Sequence, residues 1–142
     1  MSKYPEQPRI IELKQFLDPR GNLAVIEQLD DIPFKIERVH WIYDVPGGGL
    51  REGHAYHENE EFIVALSGSF DVVTNDGSKE RVHTLNRSYY GLYLPSKTWR
   101  ELVNFSTNAV ALIISSSPYD EDDYIIDFEE FIKYSKYEEE GK

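Results

Sequence analysis

Residues 51–57 hold an unusual concentration of side chains that can carry protons or charge, in the order Arg-Glu-Gly-His-Ala-Tyr-His. If this segment is extended, His54 and Tyr56 project from one face and His57 from the other, because side chains alternate along a strand. A histidine titrates near neutral pH and suits acid or base chemistry, and a phenol can hydrogen-bond a developing enolate. Glu61 follows closely and places a charge beside these titrating groups. The segment therefore predicts an acid/base site at the mouth of a β-sheet.

Short strands separated by turns are predicted over most of the chain. Residues 18–22, 46–49 and 75–77 are turn-rich, and the Asn-Asp-Gly of the last is a strong hairpin signal. Strands are predicted at residues 10–17, 23–28, 36–45, 62–66, 69–74, 81–85, 89–94, 99–104 and 110–115. Such regular spacing indicates a β-sandwich or barrel. The acidic and apolar pattern of residues 120–137 predicts a helical segment that packs on it.

Four arginines far apart in sequence lie at predicted strand ends or on strand faces: Arg20, Arg38, Arg51 and Arg100. A surface arginine is most often a solvated charge. If the four converged they would form a phosphate site, since guanidinium groups bind phosphate bidentately and stay charged when buried. His40 shares a strand face with Arg38 and is a candidate to line the same pocket.

Composition narrows the function classes. The formal net charge of −11 repels nucleic acid and anionic membranes at long range. A phosphorylated small molecule would also be repelled unless a local arginine cluster overrides the field. Cysteine is absent, which excludes disulfide bonds and thiolate metal sites. The 142 residues contain no linker, repeat or apolar leader, so we expect one domain over residues 1–142, located in the cytoplasm.

The order of His54, Tyr56 and Glu61 resembles the first signature of the cupin barrels, in which His-x-His, a carboxylate and a later glycine surround a pocket. Metal-binding cupins use three histidines and a carboxylate, and the last histidine lies in a second motif. In this chain Tyr56 replaces the second histidine, and Trp99 and Arg100 stand where the last ligand is expected. The ligands that remain are fewer than the three that a stable site usually needs, so no bound metal is expected.

Taken in order, the motifs resemble those of the nucleotide-sugar 3,4-ketoisomerases, small cupins that act on dTDP-4-oxo-6-deoxyglucose. The matching stretches are Asp18-Pro19-Arg20-Gly21-Asn22-Leu23, Ile26-Glu27, residues 32–39, Arg51, His54-Ala55, residues 66–69, residues 75–77, Gly91-Leu92-Tyr93, Trp99-Arg100-Glu101 and residues 119–124. The resemblance implies an all-β fold, a cupin jelly-roll barrel with a short C-terminal helical segment, and a homodimer. It also implies an isomerase that uses no cofactor and binds a nucleotide-diphosphate sugar, dTDP-linked.

By this resemblance, His54 is the catalytic base. It would remove the C3 proton of the 4-oxo sugar and return a proton to C4 of the enediol, since one histidine can perform both steps on a bound intermediate. Tyr56 stands at the family's second histidine and would move a proton between the two sugar oxygens or hydrogen-bond the enolate. A phenol with an unperturbed pKa near 10 predicts a slow enzyme. Glu61 stands where the enzymes commonly have glutamine, and is expected to contact substrate.

The resemblance also assigns the arginines as substrate-binding residues. Arg38, Arg51 and Arg20 would hold the diphosphate or polarise the carbonyl. Arg20 and Arg100 match positions at which subfamilies differ and at which the product configuration at C4 is set. This chain has arginine at both positions, a mixture of the two known types, so the C4 configuration is left open.

Two other functions also remain open. Tyr56 and Glu61 are compatible with a catalytically weakened module that binds a nucleotide sugar without turnover. A related dTDP-sugar 3- or 5-epimerase would incorporate solvent deuterium at C3 or C5 without moving the carbonyl.

Overall fold

The short apolar runs form strands that assemble into two five-stranded sheets and a separate hairpin. The computed structural model describes the backbone of residues 7–140 and the side chains of residues 7–50 and 53–135. The described strands are β1 (Arg9–Glu12), β2 (Lys14–Phe16), β3 (Leu23–Val25), β4 (Arg38–Ile42), β5 (Arg51–Tyr56), β6 (Glu61–Ser67), β7 (Phe70–Asn75), β8 (Glu80–Leu85), β9 (Tyr90–Leu94), β10 (Trp99–Val103), β11 (Val110–Ser115) and β12 (Tyr124–Ile125). Helix α1 (Phe128–Glu140) follows β12.

The strand order shows how distant parts of the chain are interleaved. The first sheet has the order β1-β9-β6-β11-β4, the second has the order β12-β5-β10-β7-β8, and β2 pairs with β3. These strand pairs are antiparallel. Most neighbours in space are far apart in sequence, as in the jelly roll of a cupin. The predicted all-β barrel with a C-terminal helical segment is confirmed.

An apolar core fills one half of the space between the two sheets. Ile63 and Leu92 reach in from the first sheet, Val72 and Leu102 reach in from the second, and all four side chains are fully buried. Each such burial stabilises the fold by about 1.5–3 kcal/mol. This apolar half therefore fixes how the two sheets face each other. The other half of the space between the sheets is polar and contains the site described below.

Strand β6 is buried on both faces, which explains its continuous apolar sequence. Ile63 faces the core between the sheets, whereas Phe62 and Val64 lie in a second apolar cluster that includes Phe34. A strand covered on both sides shows an apolar run in place of alternation. Glu61, which begins the strand, is therefore a carboxylate carried into the interior, with 1% of its surface exposed.

The strand predicted at residues 10–17 is two strands in the structure. Leu13, between β1 and β2, is buried, and its N–H donates to the carbonyl oxygen of Tyr89. The chain then leaves the first sheet to form the β2–β3 hairpin. The apolar pattern continues across this break, so periodicity alone could not locate it.

The helical segment predicted over residues 120–137 begins later in the structure. Residues 121–123 form one 3₁₀ turn, and β12 then pairs with β5 before α1 starts. The Asp123 carboxylate accepts the N–H groups of Glu58 and Asn59 at 2.9 and 3.0 Å. Acidic side chains can accept hydrogen bonds from the backbone N–H groups of a neighbouring turn as well as from those of a helix N-terminus. The acidic residues at 120–123 therefore led to a predicted helix start that is too early.

Helix α1 packs its apolar face on the second sheet. Phe131 is fully buried, its ring centroid lies 5.8 Å from that of Trp99, and Ile125 belongs to the same cluster. With 13 residues, α1 is too short to cross a bilayer, and the described part of the chain holds no other helix that could.

Candidate active site

Strand β5 carries the predicted acid/base pair between two neighbouring strands. Arg100 of β10 lies opposite His54, and Tyr124 of β12 lies opposite Tyr56. Residues directly opposite each other in an antiparallel pair share a face. The prediction that His54 and Tyr56 share a face is confirmed, since His54 Nε2 and the Tyr56 hydroxyl oxygen are 2.9 Å apart.

The opposite face of β5 has a structural role. His57 packs edge-on against the ring of Tyr134, with 5.1 Å between ring centroids. Gly53 leaves room for Trp99, whose indole nitrogen would lie 2.6 Å from a Cβ at this position. His57 is therefore separated from the acid/base pair, as the alternation predicts.

A continuous hydrogen-bond chain runs from His54 to Arg100. The Tyr56 hydroxyl donates to Glu61 Oε2 at 3.2 Å, and Arg100 donates from Nε and Nη2 to both Glu61 carboxylate oxygens at 2.8 and 3.0 Å. Because the Tyr56 proton is directed at Glu61, the Tyr56 oxygen accepts from His54. This assigns the hydrogen of the neutral imidazole to Nε2 and leaves the lone pair on Nδ1.

Glu61 and Arg100 form a buried ion pair held at two points, and their exposed fractions are 1% and 4%. Burial alone would raise the pKa of Glu61, but the charge and hydrogen bonds of Arg100 outweigh it and hold that pKa below its ordinary value. Burial alone would lower the pKa of Arg100, but Glu61 outweighs it and raises that pKa. Both groups therefore stay charged, and Tyr56 faces a permanent carboxylate.

The surroundings favour the neutral forms of His54 and Tyr56. Burial, followed by the charge of Arg100, lowers the pKa of His54 to about 3. Burial, followed by the negative charge of Glu61, raises the pKa of Tyr56 well above its ordinary value. In the free protein His54 is thus a neutral imidazole that can accept a proton, and Tyr56 is a neutral phenol.

Arg38 and two tyrosines border the acid/base pair. The ring centroid of Tyr124 lies 5.0 Å from that of His54 and 4.7 Å from that of Tyr56. Arg38 Nη2 donates to the Tyr124 hydroxyl oxygen at 3.4 Å, and the guanidinium carbon lies 5.4 Å from the ring centroid of Tyr119. The latter distance suits a cation–π interaction. The predicted residue Arg38 is therefore part of the cluster.

A cavity of about 650 Å³ opens beside this cluster. Its lining residues are Tyr119, Glu121, Asp122, Tyr124 and Ile126. The volume falls within the range of roughly 300–1,000 Å³ that is usual for ligand sites. Tyr124 belongs to the cavity wall and also contacts His54. A ligand in this cavity would therefore contact Tyr124, whose ring packs against His54.

Ser115 and Arg38 bring buried polar atoms to the same region. Ser115 is fully buried on β11 and lies opposite Glu61 on one side and Arg38 on the other. Ser115 Oγ and Arg38 Nε have no hydrogen-bond partner among the described residues. A buried polar atom without a partner costs about 1–3 kcal/mol, so these two atoms make the region between β4 and β11 unusually polar for a protein interior. His40 lies on the same face of β4, as predicted from its spacing to Arg38.

Arg20 lies apart from this cluster. It occupies the turn of the β2–β3 hairpin, its side chain is 90% exposed, and it donates from Nε and Nη2 to the Asp18 carboxylate. Arg51 begins β5, and its side chain lies outside the described residues. Arg38 and Arg100 do lie near each other, since the charges of both lower the pKa of His54, after the larger effect of burial.

Sequence reasoning missed Tyr124 and Ser115 as parts of the site. Strand β12 has two residues, too few to show a periodicity. Ser115 ends an apolar strand, where a polar residue is easily interpreted as a boundary. The available signal was that Ser115, Glu61 and Arg38 each stand at the end of a strand of the same sheet. Among the described side chains, no three His, Asp or Glu residues converge as metal ligands.

Comparisons with known proteins identify the family of the chain. The sequence matches the family model described as FdtA: WxcM-like, C-terminal, over residues 6–136. A relative named TDP-4-oxo-6-deoxy-alpha-D-glucose-3,4-oxoisomerase, from Aneurinibacillus thermoaerophilus, is 38% identical over 126 residues. The match covers 89% of this chain and 91% of that relative.

Solved structures extend the likeness to three dimensions. A 3,4-ketoisomerase from Helicobacter canadensis has a TM-score of 0.88 and 36% identity, and the match covers 91% of this chain and 97% of that chain. A sugar 3,4-ketoisomerase from Thermoanaerobacterium thermosaccharolyticum, in complex with TDP, has a TM-score of 0.89 and 32% identity, covering 92% of this chain and 96% of that chain. The resemblance drawn from the motifs is thus confirmed, and the chain belongs to the FdtA family of WxcM-like proteins.

Proposed function

We propose that the chain is a sugar 3,4-ketoisomerase that moves the carbonyl of a dTDP-4-oxo-6-deoxyhexose from C4 to C3. The observation that carries this proposal is the neutral imidazole of His54, held at the end of a buried hydrogen-bond chain beside a ligand-sized cavity. The names of the relatives support the same reaction. Related structures described as complexes with TDP and with TDP-4-keto-6-deoxyglucose support a thymidine nucleotide.

His54 carries a proton from one carbon to the next. The imidazole takes the C3 proton, which the C4 carbonyl makes acidic, and the electron pair of the broken bond forms the C3–C4 double bond of an enediol. The imidazolium returns the proton to C4, and the carbonyl forms at C3. Negative charge that develops on the sugar oxygens stabilises the imidazolium, so a group that is neutral in the free protein becomes a base in the complex.

Arg38 supplies positive charge for the nucleotide diphosphate or the sugar carbonyl. The net charge of −11 repels phosphates at long range, so binding depends on local cations. The charge of Arg100 is balanced by Glu61, whereas the described contacts of Arg38 are with a hydroxyl and an aromatic ring. The Arg38 guanidinium would then bond substrate oxygens.

Proton NMR of the purified protein with dTDP-4-oxo-6-deoxyglucose in deuterated buffer tests the proposal. We expect a new 3-oxo species, whose couplings also report the configuration at C4. Deuterium exchange without carbonyl migration would indicate an epimerase instead. Unchanged substrate with ligand line broadening would indicate a binding module.

The lowered pKa of His54 predicts an unusual pH dependence. As the pH falls through 6.5, we expect kcat/KM to keep the value that it has at neutral pH, because His54 stays unprotonated there. The acid limb of the kcat/KM profile is expected at about pH 3 instead.

The same lowered pKa of His54 makes the stability of the fold depend on pH. An unfolded histidine has a pKa of about 6.5, so the unfolded chain binds more protons than the folded chain between about pH 3 and pH 6.5. The free energy of unfolding therefore falls as the pH falls through this window, by at most about 1.4 kcal/mol per pH unit. Steady-state kinetics and denaturant unfolding across the window check both effects, and an acid limb centred on 6.5 would contradict the assignment.

We also propose that the chain forms a homodimer through its β2–β3 hairpin. Phe16, Leu17 and Leu23 of this hairpin are 59%, 76% and 54% exposed, an apolar surface that a second copy would cover. Arg20 lies at the turn of the same hairpin, so in such a dimer it would lie at or beside the interface between the two copies.

Leu17→Asp tests this arrangement. The wild-type protein is expected to sediment at twice the 16.5 kDa monomer mass, and the variant at the monomer mass, because a charge opposes burial of the hairpin. Val82→Asp is the matched control, since Val82 is 61% exposed on the edge strand β8. A wild-type protein that sediments as a monomer at assay concentration would rule the dimer out.

A further inference from the structure

A 3,4-ketoisomerase must move two protons, and His54 accounts for one of them. The second moves between the oxygens: O4 gains a proton as the C4 carbonyl becomes an enol hydroxyl, and O3 loses one as the new carbonyl forms. The exchange is balanced without any oxidant or reductant. It requires a group beside the sugar that can give a proton and take one back.

Tyr56 is poorly placed for this second transfer. It is 5% exposed, its proton is directed at the Glu61 carboxylate, and its oxygen accepts from His54. Arg100 keeps that carboxylate charged, and burial together with Glu61 raises the pKa of Tyr56. The hydrogen bonds of Tyr56 are thus committed to orienting His54, and its phenolate form is costly.

Tyr124 has the properties that Tyr56 lacks. It lines the cavity of about 650 Å³, and its ring lies 5.0 Å from the ring of His54. Arg38 can only donate hydrogen bonds, so the 3.4 Å contact makes the Tyr124 oxygen an acceptor. Tyr124 also shares a hydrogen bond with Tyr56 that raises the pKa of Tyr56, so Tyr56 keeps its own proton and the Tyr124 proton can be directed at a ligand. The same guanidinium would stabilise the phenolate once that proton has been given away.

We propose that Tyr124 is a catalytic residue that carries the proton between O4 and O3 of the sugar, while Tyr56 positions His54; this rests on the proposed ketoisomerase function. The Tyr124 hydroxyl donates its proton to O4 as His54 takes the C3 proton. The resulting phenolate, beside Arg38, then takes the proton from the O3 hydroxyl as the imidazolium protonates C4. Both residues end in their starting protonation states.

Tyr124→Phe tests the proposal because it removes only the hydroxyl. We expect kcat to fall about 100-fold, while KM and the Kd for TDP change less than about threefold, since general acid–base catalysis contributes about 10²–10⁴ in rate. Tyr89→Phe is the matched control, because Tyr89 is 37% exposed and contacts Tyr90. It is expected to stay within about twofold of the wild type in all three constants.

The outcomes separate the two proposals. Wild-type turnover to the 3-oxo sugar, with kcat of the Tyr124→Phe variant above about one third of the wild-type value, would overturn the role of Tyr124 and leave the ketoisomerase function intact. A proportional loss of TDP affinity and kcat would also overturn it, since Tyr124 would then serve binding alone. A wild-type protein that binds TDP but forms no 3-oxo sugar would overturn the ketoisomerase function itself, whatever the variant does.

Discussion

Replacing His54 by Asn is expected to lower kcat for carbonyl migration by about 10³- to 10⁴-fold, the upper part of the range that general acid–base catalysis contributes. Asn keeps a polar group of similar size but cannot take the C3 proton. The affinity for TDP is expected to change less than about threefold, because His54 contacts Tyr56 and Tyr124 and belongs to the reacting end of the site. Single-turnover NMR and nucleotide titration measure the two quantities separately.

His57→Asn is the control for this experiment. His57 lies three residues further along the chain but on the opposite face, where its ring packs against Tyr134. Its replacement is expected to leave kcat within about threefold of the wild type. Turnover by the His54→Asn variant within tenfold of the wild-type rate would contradict the base assignment.

Breaking the buried ion pair is expected to have the largest effect on stability. Glu61→Gln leaves Arg100 charged and unpaired in a place where it is 4% exposed, and Arg100→Met leaves Glu61 in the same position. Each variant is expected to lower the free energy of unfolding by about 3–5 kcal/mol, because the desolvation cost of the remaining charge is no longer offset. Urea unfolding at neutral pH measures the loss.

A double variant distinguishes the destabilisation caused by an unpaired charge from the destabilisation caused by lost packing. Glu61→Gln combined with Arg100→Met is expected to be less destabilised than the sum of the single variants, by about 1–3 kcal/mol, since no unpaired charge remains. Arg20→Met removes an exposed pair with Asp18 and is expected to leave the unfolding midpoint unchanged. Strictly additive single effects would show that the two charges do not stabilise each other.

The local pattern of the sequence determined the strand-rich fold and the pairing of His54 with Tyr56. Side chains two residues apart on a strand point the same way regardless of what the strand pairs with, so this contact could be predicted before any sheet was known. The Asn75–Gly77 turn between β7 and β8 was predictable for the same reason, because its geometry depends on residues adjacent in sequence. The motif resemblance added the fold family and the reaction.

The tertiary structure alone decided which groups surround that pair. Glu61 and Arg100 are 39 residues apart, and their two-point contact depends on how the facing sheets are packed. Tyr124 reaches His54 only because a two-residue strand pairs with β5, and Arg20 is held away by a hairpin that leaves the sheet. Such contacts depend on strand register and sheet packing between distant segments, which no single stretch of sequence encodes.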